Sequence, residues 1–70
     1  MNQTVQNTVY DYRQGKGMTQ EELAQKAGVS RQTIISIEKG NYVPSVLLAL
    51  TFSKIFGCTV NELFFITYEK

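Results

Sequence analysis

Residues 20–39, QEELAQKAGVSRQTIISIEK, hold two short amphipathic segments placed back to back. The first opens one residue earlier, where Thr19-Gln20-Glu21-Glu22 has the form of a capping box. There the Thr19 hydroxyl can accept from the backbone N–H of Glu22 while the Glu22 side chain reaches back to Thr19. Leu23, Ala24 and Ala27 form the apolar stripe of this helix, and Gly28 supplies a left-handed residue at its end. Only Val29 separates Gly28 from Ser30, the N-cap of the next helix. That second helix is expected over Arg31 to Lys39, with Ile34 and Ile37 inward and Gly40 as its stop. Ala24 must be small where the helices cross, and Gly28 must take a positive φ for the sharp turn. Leu23, Val29, Ile34 and Ile37 then point into a shared core.

Two helices about a three-residue, glycine-containing junction have the spacing of a helix-turn-helix. Upstream, Asn7 to Lys16 reads as a first helix, with Val9, Tyr12 and the stem of Arg13 at i, i+3 and i+4. Gly15 weakens its last turn by about 1 kcal/mol relative to Ala, and Gly17 ends it. Downstream, Gly40 to Pro44 is a loop in which Pro44 biases Val43 to extended geometry. Ser45 caps a fourth helix, Val46 to Phe56, whose inward face is expected to be Val46, Ala49, Leu50, Phe52, Ser53 and Phe56. After Gly57, Thr59-Val60-Asn61-Glu62 is a second capping box, opening a short fifth helix through Leu63 and Phe64. The tail Phe65-Ile66-Thr67-Tyr68 has strand composition, and the free candidate partner is Asn2-Gln3-Thr4-Val5. The expected fold class is all-α: one domain over residues 1–70, a five-helix core over 7–64, and a small antiparallel β pair from 1–5 and 65–70.

Size and composition set the outer bounds. A 70-residue chain allows one domain and buries only about 60% of its unfolded surface, which makes self-association worth expecting. Hydrophobic content of 43% and charge of 19% suit a globular chain. With no His and one Cys, His-based catalysis, an internal disulfide and a His/Cys zinc site are excluded, and no metal or cofactor is expected. The net charge is +1 and the pI about 7.8, short of the strongly basic signature of many nucleic-acid binders. Charge is unevenly placed, however. Residues 13–40 carry five basic and three acidic side chains, a net +2, and the remainder a net −1. The stretch MNQTVQNTVYDY has neither a basic n-region nor an apolar h-region, so no secretory signal is expected. The longest apolar run, Val46 to Leu50, falls far below the roughly 20 residues of a membrane span. With a free Cys58, the expected location is the cytoplasm.

From Met18 to Ser45 the sequence MTQEELAQKAGVSRQTIISIEKGNYVPS resembles the phage repressor/Cro type of helix-turn-helix protein, the XRE family. The match extends from about Asn7 to Phe64, and the strand-like tail resembles the compact cytolysin-repressor group. The resemblance implies a five-helix, lambda-repressor-like domain that binds double-stranded DNA as a sequence-specific transcriptional regulator. Residue by residue, Ser30, Arg31, Gln32 and Ser36 match base-reading positions, where Arg31 suits G O6/N7 and Gln32 suits A N6/N7. Gln20 matches a phosphate-binding position at a helix N-terminus. Thr33 is expected to touch phosphate, and Lys39, Asn41 and Tyr42 fall just beyond the recognition helix, where the family grips the backbone again. Arg13 and Glu38 match a structural salt bridge between the first and third helices. Gly15, Ile35 and Leu47 depart from the family pattern. Ile35 either packs on the edge of the second helix or touches a thymine methyl, and Lys16 and Lys26 read as solubilising charges.

The implied mechanism is steric: a homodimer on an inverted-repeat operator represses by blocking polymerase. An antitoxin-like protein, with a polypeptide partner and an autoregulated operon, is the alternative. An enzyme is not expected. Apolar residues in excess of one small core place the dimer interface at Leu47, Ile55, Leu63, Phe64 and Phe65, in a seam that uses the end of the fourth helix and the fifth, with Leu47 nearer the start of the fourth. A two-fold seam there sets the recognition helices about one DNA turn, roughly 34 Å, apart.

Overall fold

The two ends of the chain close on each other. In the computed structural model, which describes residues 2–69, strand β1 (Asn2–Asn7) pairs antiparallel with β2 (Phe64–Glu69). Five helices lie between them: α1 (Val9–Gly15), α2 (Gln20–Ala27), α3 (Arg31–Glu38), α4 (Val46–Phe56) and α5 (Val60–Leu63). The expected all-α class with a small terminal sheet is the fold observed. Met1 and Lys70, assigned above to the β pair, lie outside the described residues.

The pair is longer than its composition suggested. Its register runs from Asn2↔Glu69 to Asn7↔Phe64, so Asn7 and Phe64, expected in helices, are strand residues. The cause is local. Asn7 Oδ1 accepts from the Val9 N–H at 3.2 Å and Asn7 Nδ2 donates to the Ile37 carbonyl at 2.9 Å, so Asn7 turns the chain into α1 instead of lying within it. Thr8 then donates its N–H to Leu63 O (2.9 Å) and its hydroxyl to Glu62 O (2.7 Å), which satisfies the open end of α5. Midway along the pair, the Thr4 and Thr67 hydroxyls bond at 2.8 Å.

Each expected N-cap from Thr19 onward is in place. Thr19 and Thr59 form complete capping boxes with Glu22 and Glu62, while Ser30 and Ser45 accept from Thr33 N–H and Leu48 N–H. The core they enclose is Val9, Leu23, Ala24, Ile34, Ile37, Leu48, Phe52, Phe56 and Leu63. Phe64 stacks on Phe52, with ring centroids 6.4 Å apart.

Helix α4 is rotated relative to the expected face. Leu48, Ala49, Phe52 and Phe56 are buried, whereas Val46 and Leu50 are 77% and 55% exposed. At about 3.6 residues per turn, Val46, Leu47 and Leu50 share the side opposite Leu48 and Phe52. An all-round apolar helix hides its own phase, and tertiary packing into the core shared with α2 and α5 selects it. The expected dimer residues divide accordingly. Leu63 is fully buried and is a core residue; Ile55 and Phe64 pack on that core; only Leu47 and Phe65 are exposed.

Candidate nucleic-acid interface

The site begins with the turn between α2 and α3. Gly28 has φ +74°, and the Val29 N–H bonds back to Ala24 O at 3.0 Å, so Ser30 starts α3 at once. With Ile34 and Ile37 committed to the core, the front of α3 presents Arg31 and Gln32 to solvent. At its far end Gly40, φ +80°, reverses the chain: Gly40 N–H reaches Ile37 O and Asn41 N–H reaches Ser36 O, both at 2.9 Å. Asn41 and Tyr42 are thereby brought back beside Ser36.

The result is a shallow cleft of about 310 Å³ lined by Ser30, Gln32, Thr33, Ser36, Asn41 and Tyr42. Two predicted base-reading residues, Gln32 and Ser36, thus sit next to three predicted phosphate residues. Ser30 lines the cleft too, but its hydroxyl is engaged: it accepts from Thr33 N–H at 3.2 Å and bonds Thr33 Oγ1 at 2.9 Å. Arg31 stands apart, on the neighbouring exposed side of the helix, next to half-buried Ile35. Lys39 also lies elsewhere, in a second polar cleft with Thr4, Gln6, Asn7 and Glu38. That cleft was invisible in the sequence because it exists only once β1 docks beside the end of α3.

Behind this surface lies an ionic cluster. Arg13 Nε donates to Glu38 Oε2 at 2.6 Å and Nη2 to Oε1 at 3.1 Å, with both side chains only 7% exposed. Arg13 Nη1 donates to Met18 O at 2.8 Å, and the guanidinium lies over the Tyr10 ring at 5.3 Å. The bond to Glu38 raises the Arg13 pKa above its already high ordinary value. The same Glu38 Oε1 accepts from Gln20 Nε2 at 3.1 Å. Sequence reasoning missed this last bond, since the first residue of α2 and the last of α3 meet only through the angle of the turn.

Elsewhere, Cys58 is half-buried, and burial and nearby Glu62 push its thiol pKa up, which suits a packing residue. Among the described residues there is no group of three or more His, Cys, Asp or Glu placed to hold a metal ion. No helix among them is long and apolar enough to cross a membrane.

The sequence matches the helix-turn-helix family over residues 9–63. An uncharacterized HTH-type transcriptional regulator of Methanocaldococcus jannaschii is 50% identical over 60 residues, covering 86% of this chain and 91% of its own. The HTH-type transcriptional regulator YgzD of Bacillus subtilis, also uncharacterized, is 43% identical over 66 residues, covering 94% of this chain and 100% of its own. Among solved structures, the restriction-modification controller protein C.AhdI from Aeromonas hydrophila superposes with a TM-score of 0.71. It is 26% identical and covers 77% of this chain and 82% of that one. The chain belongs to this helix-turn-helix family, whose members are DNA-binding regulators of transcription and not enzymes.

Proposed function

We propose that the protein is a sequence-specific repressor that binds an inverted-repeat operator as a homodimer. The observation that carries this reading is the front of α3: exposed Arg31 and Gln32, then a cleft in which Gln32 and Ser36 lie beside Thr33, Asn41 and Tyr42. Side chains that hydrogen-bond base edges are flanked there by groups suited to the phosphates on either side. Arg31 reads a guanine and Gln32 an adenine, Ser36 adds a shorter polar contact, and Ser30 serves chiefly as the helix cap. Gln20, Thr33, Lys39, Asn41 and Tyr42 hold the backbone.

Two-fold pairing supplies what one small domain lacks. A net +1 charge gives a weak field, and doubling the phosphate contacts multiplies affinity. Selection of bound sequences from a random duplex library with the purified protein tests the reading. The expected product is a half-site repeated with two-fold symmetry, and no enrichment over the starting pool refutes it. In the same selection Arg31→Ala should relax one base pair per half-site, a loss of about 1–3 kcal/mol of discrimination. Unchanged preference removes Arg31 from the base-reading set.

A further inference from the structure

The bond between Gln20 and Glu38 joins the buried ion pair to the start of α2. Gln20 is the first residue of α2, half-buried, and its amide nitrogen lies 3.1 Å from Glu38 Oε1. A carboxylate only accepts, so it admits the amide by its N–H end and rejects the carbonyl end. Of the two orientations open to a terminal amide, Glu38 therefore selects one. Glu38 is itself fixed by two bonds from Arg13, and Arg13 by the Met18 carbonyl, immediately before the Thr19 cap.

We infer that Glu38 is a positioning residue for DNA binding: it holds the Gln20 amide so that its second N–H, together with the open backbone N–H groups of the first turn of α2, meets a phosphate. This rests on the DNA-binding reading above. Of the first-turn backbone N–H groups, that of Glu22 is held by Thr19 Oγ1 at 3.0 Å while those of Gln20 and Glu21 are open, and the Gln20 side chain makes no other hydrogen bond among the described residues. Preorganisation matters at this spot because Glu21 and Glu22 share the turn and oppose an anion. A donor already aimed loses less freedom on binding than a mobile one. Arg13 has a part as well. By neutralising Glu38 it lets a carboxylate stand close to a phosphate without net repulsion.

The test uses the full chain and a fluorescent mixed-sequence DNA duplex at low salt, since phosphate contacts are insensitive to sequence. Three variants are compared with the wild type: Gln20→Ala, the pair Arg13→Met with Glu38→Leu, and all three changes together. Replacing both members of a buried ion pair with apolar groups removes the carboxylate without stranding a charge. Gln20→Ala should weaken binding about tenfold, the size of one hydrogen bond to a charged group. The paired replacement, checked for folding by urea unfolding, should weaken it several-fold. Adding Gln20→Ala to that pair should then cost less than about twofold more, because the contact is already lost.

Full additivity, or wild-type affinity in the paired replacement, overturns the inference and leaves DNA binding intact. An unchanged affinity in Gln20→Ala also overturns it. No binding by the wild type overturns the DNA-binding reading itself. Should the paired replacement not fold, NMR of the wild type answers the question. The Gln20 side-chain amide should give resolved, exchange-protected signals that shift on adding the duplex, and signals averaged as for a free glutamine overturn the inference.

Discussion

At the scale of single residues, the Arg13–Glu38 pair carries the largest electrostatic stake in the molecule. Both side chains are nearly enclosed, so removing one leaves the other charged and desolvated. Arg13→Met or Glu38→Leu alone should cost about 3–5 kcal/mol, while the two together cost much less. A double-mutant cycle in urea unfolding measures that coupling, and strict additivity would mean that the pair is energetically idle. A second test concerns the Thr19 capping box. Hydrogen bonds from the Thr19 backbone N–H and side chain lower the Glu22 pKa below its ordinary 4.5. A depressed folded pKa means that the stabilisation is complete above the unfolded value and is lost as pH falls through the folded one. Stability should therefore decline on acidification below about pH 4.5, and Glu22→Gln should flatten that part of the profile. An NMR titration placing Glu22 at its ordinary value in the wild type would refute the linkage.

At the scale of elements, local chemistry sets the helix ends and tertiary packing sets the faces. Two glycines separate these contributions. Gly28 has φ +74° with nothing within 4 Å of an added Cβ, so Gly28→Ala meets only backbone strain. It should lose about 1–2 kcal/mol. Gly15 lies in α1 without a positive φ and also faces open space, so Gly15→Ala should gain about 0.5–1 kcal/mol. Opposite shifts of the two thermal midpoints are the expected result, and shifts of the same sign would refute the assignment. The caps Thr19, Ser30, Ser45 and Thr59 were legible in the sequence because each acts within four residues. The helix-turn-helix was legible for the same reason. The phase of α4 was not, because Val46, Leu47, Leu48, Ala49 and Leu50 are all apolar and only contact with other helices chooses among them. Nor was the role of Asn7, whose side chain reaches Ile37 across thirty residues of sequence. Within the candidate interface, residue types and order could be read in advance. The Gln20–Glu38 bond and the displacement of Lys39 toward β1 could not, since both depend on how separate elements dock.

At the scale of the whole molecule, the exposed apolar surface decides what remains to be covered. Val43, Val46, Phe65 and Ile66 are exposed around a hollow of about 210 Å³ lined only by apolar side chains and Pro44, and Leu47 and Leu50 are exposed on the same helix as Val46. A contiguous patch of this kind on a small domain marks an interface. The hollow shares no lining residue with the cleft of Gln32, Ser36 and Tyr42, so a two-fold seam there is compatible with a free α3 front. The proposed dimer contact accordingly moves to the start of α4 and to β2, away from Leu63. Val46→Glu is the cleanest test. Val46 is 77% exposed and opens α4, where a carboxylate is favourable to the helix dipole, so the fold should be untouched. Leu47→Glu is less decisive, because Leu47 shares a cleft with Thr33 and Tyr42 and a charge there repels DNA directly. Phe64→Glu is worse, since Phe64 stacks on Phe52 and its loss opens the core. The wild type at micromolar concentration should sediment at twice its 7.9 kDa chain mass, and Val46→Glu at 7.9 kDa with sharply reduced operator affinity. An isologous seam doubles the effect, because each copy brings the new charge against its partner. A wild-type monomer that binds its operator without cooperativity would sink the two-fold reading, whatever the patch then covers.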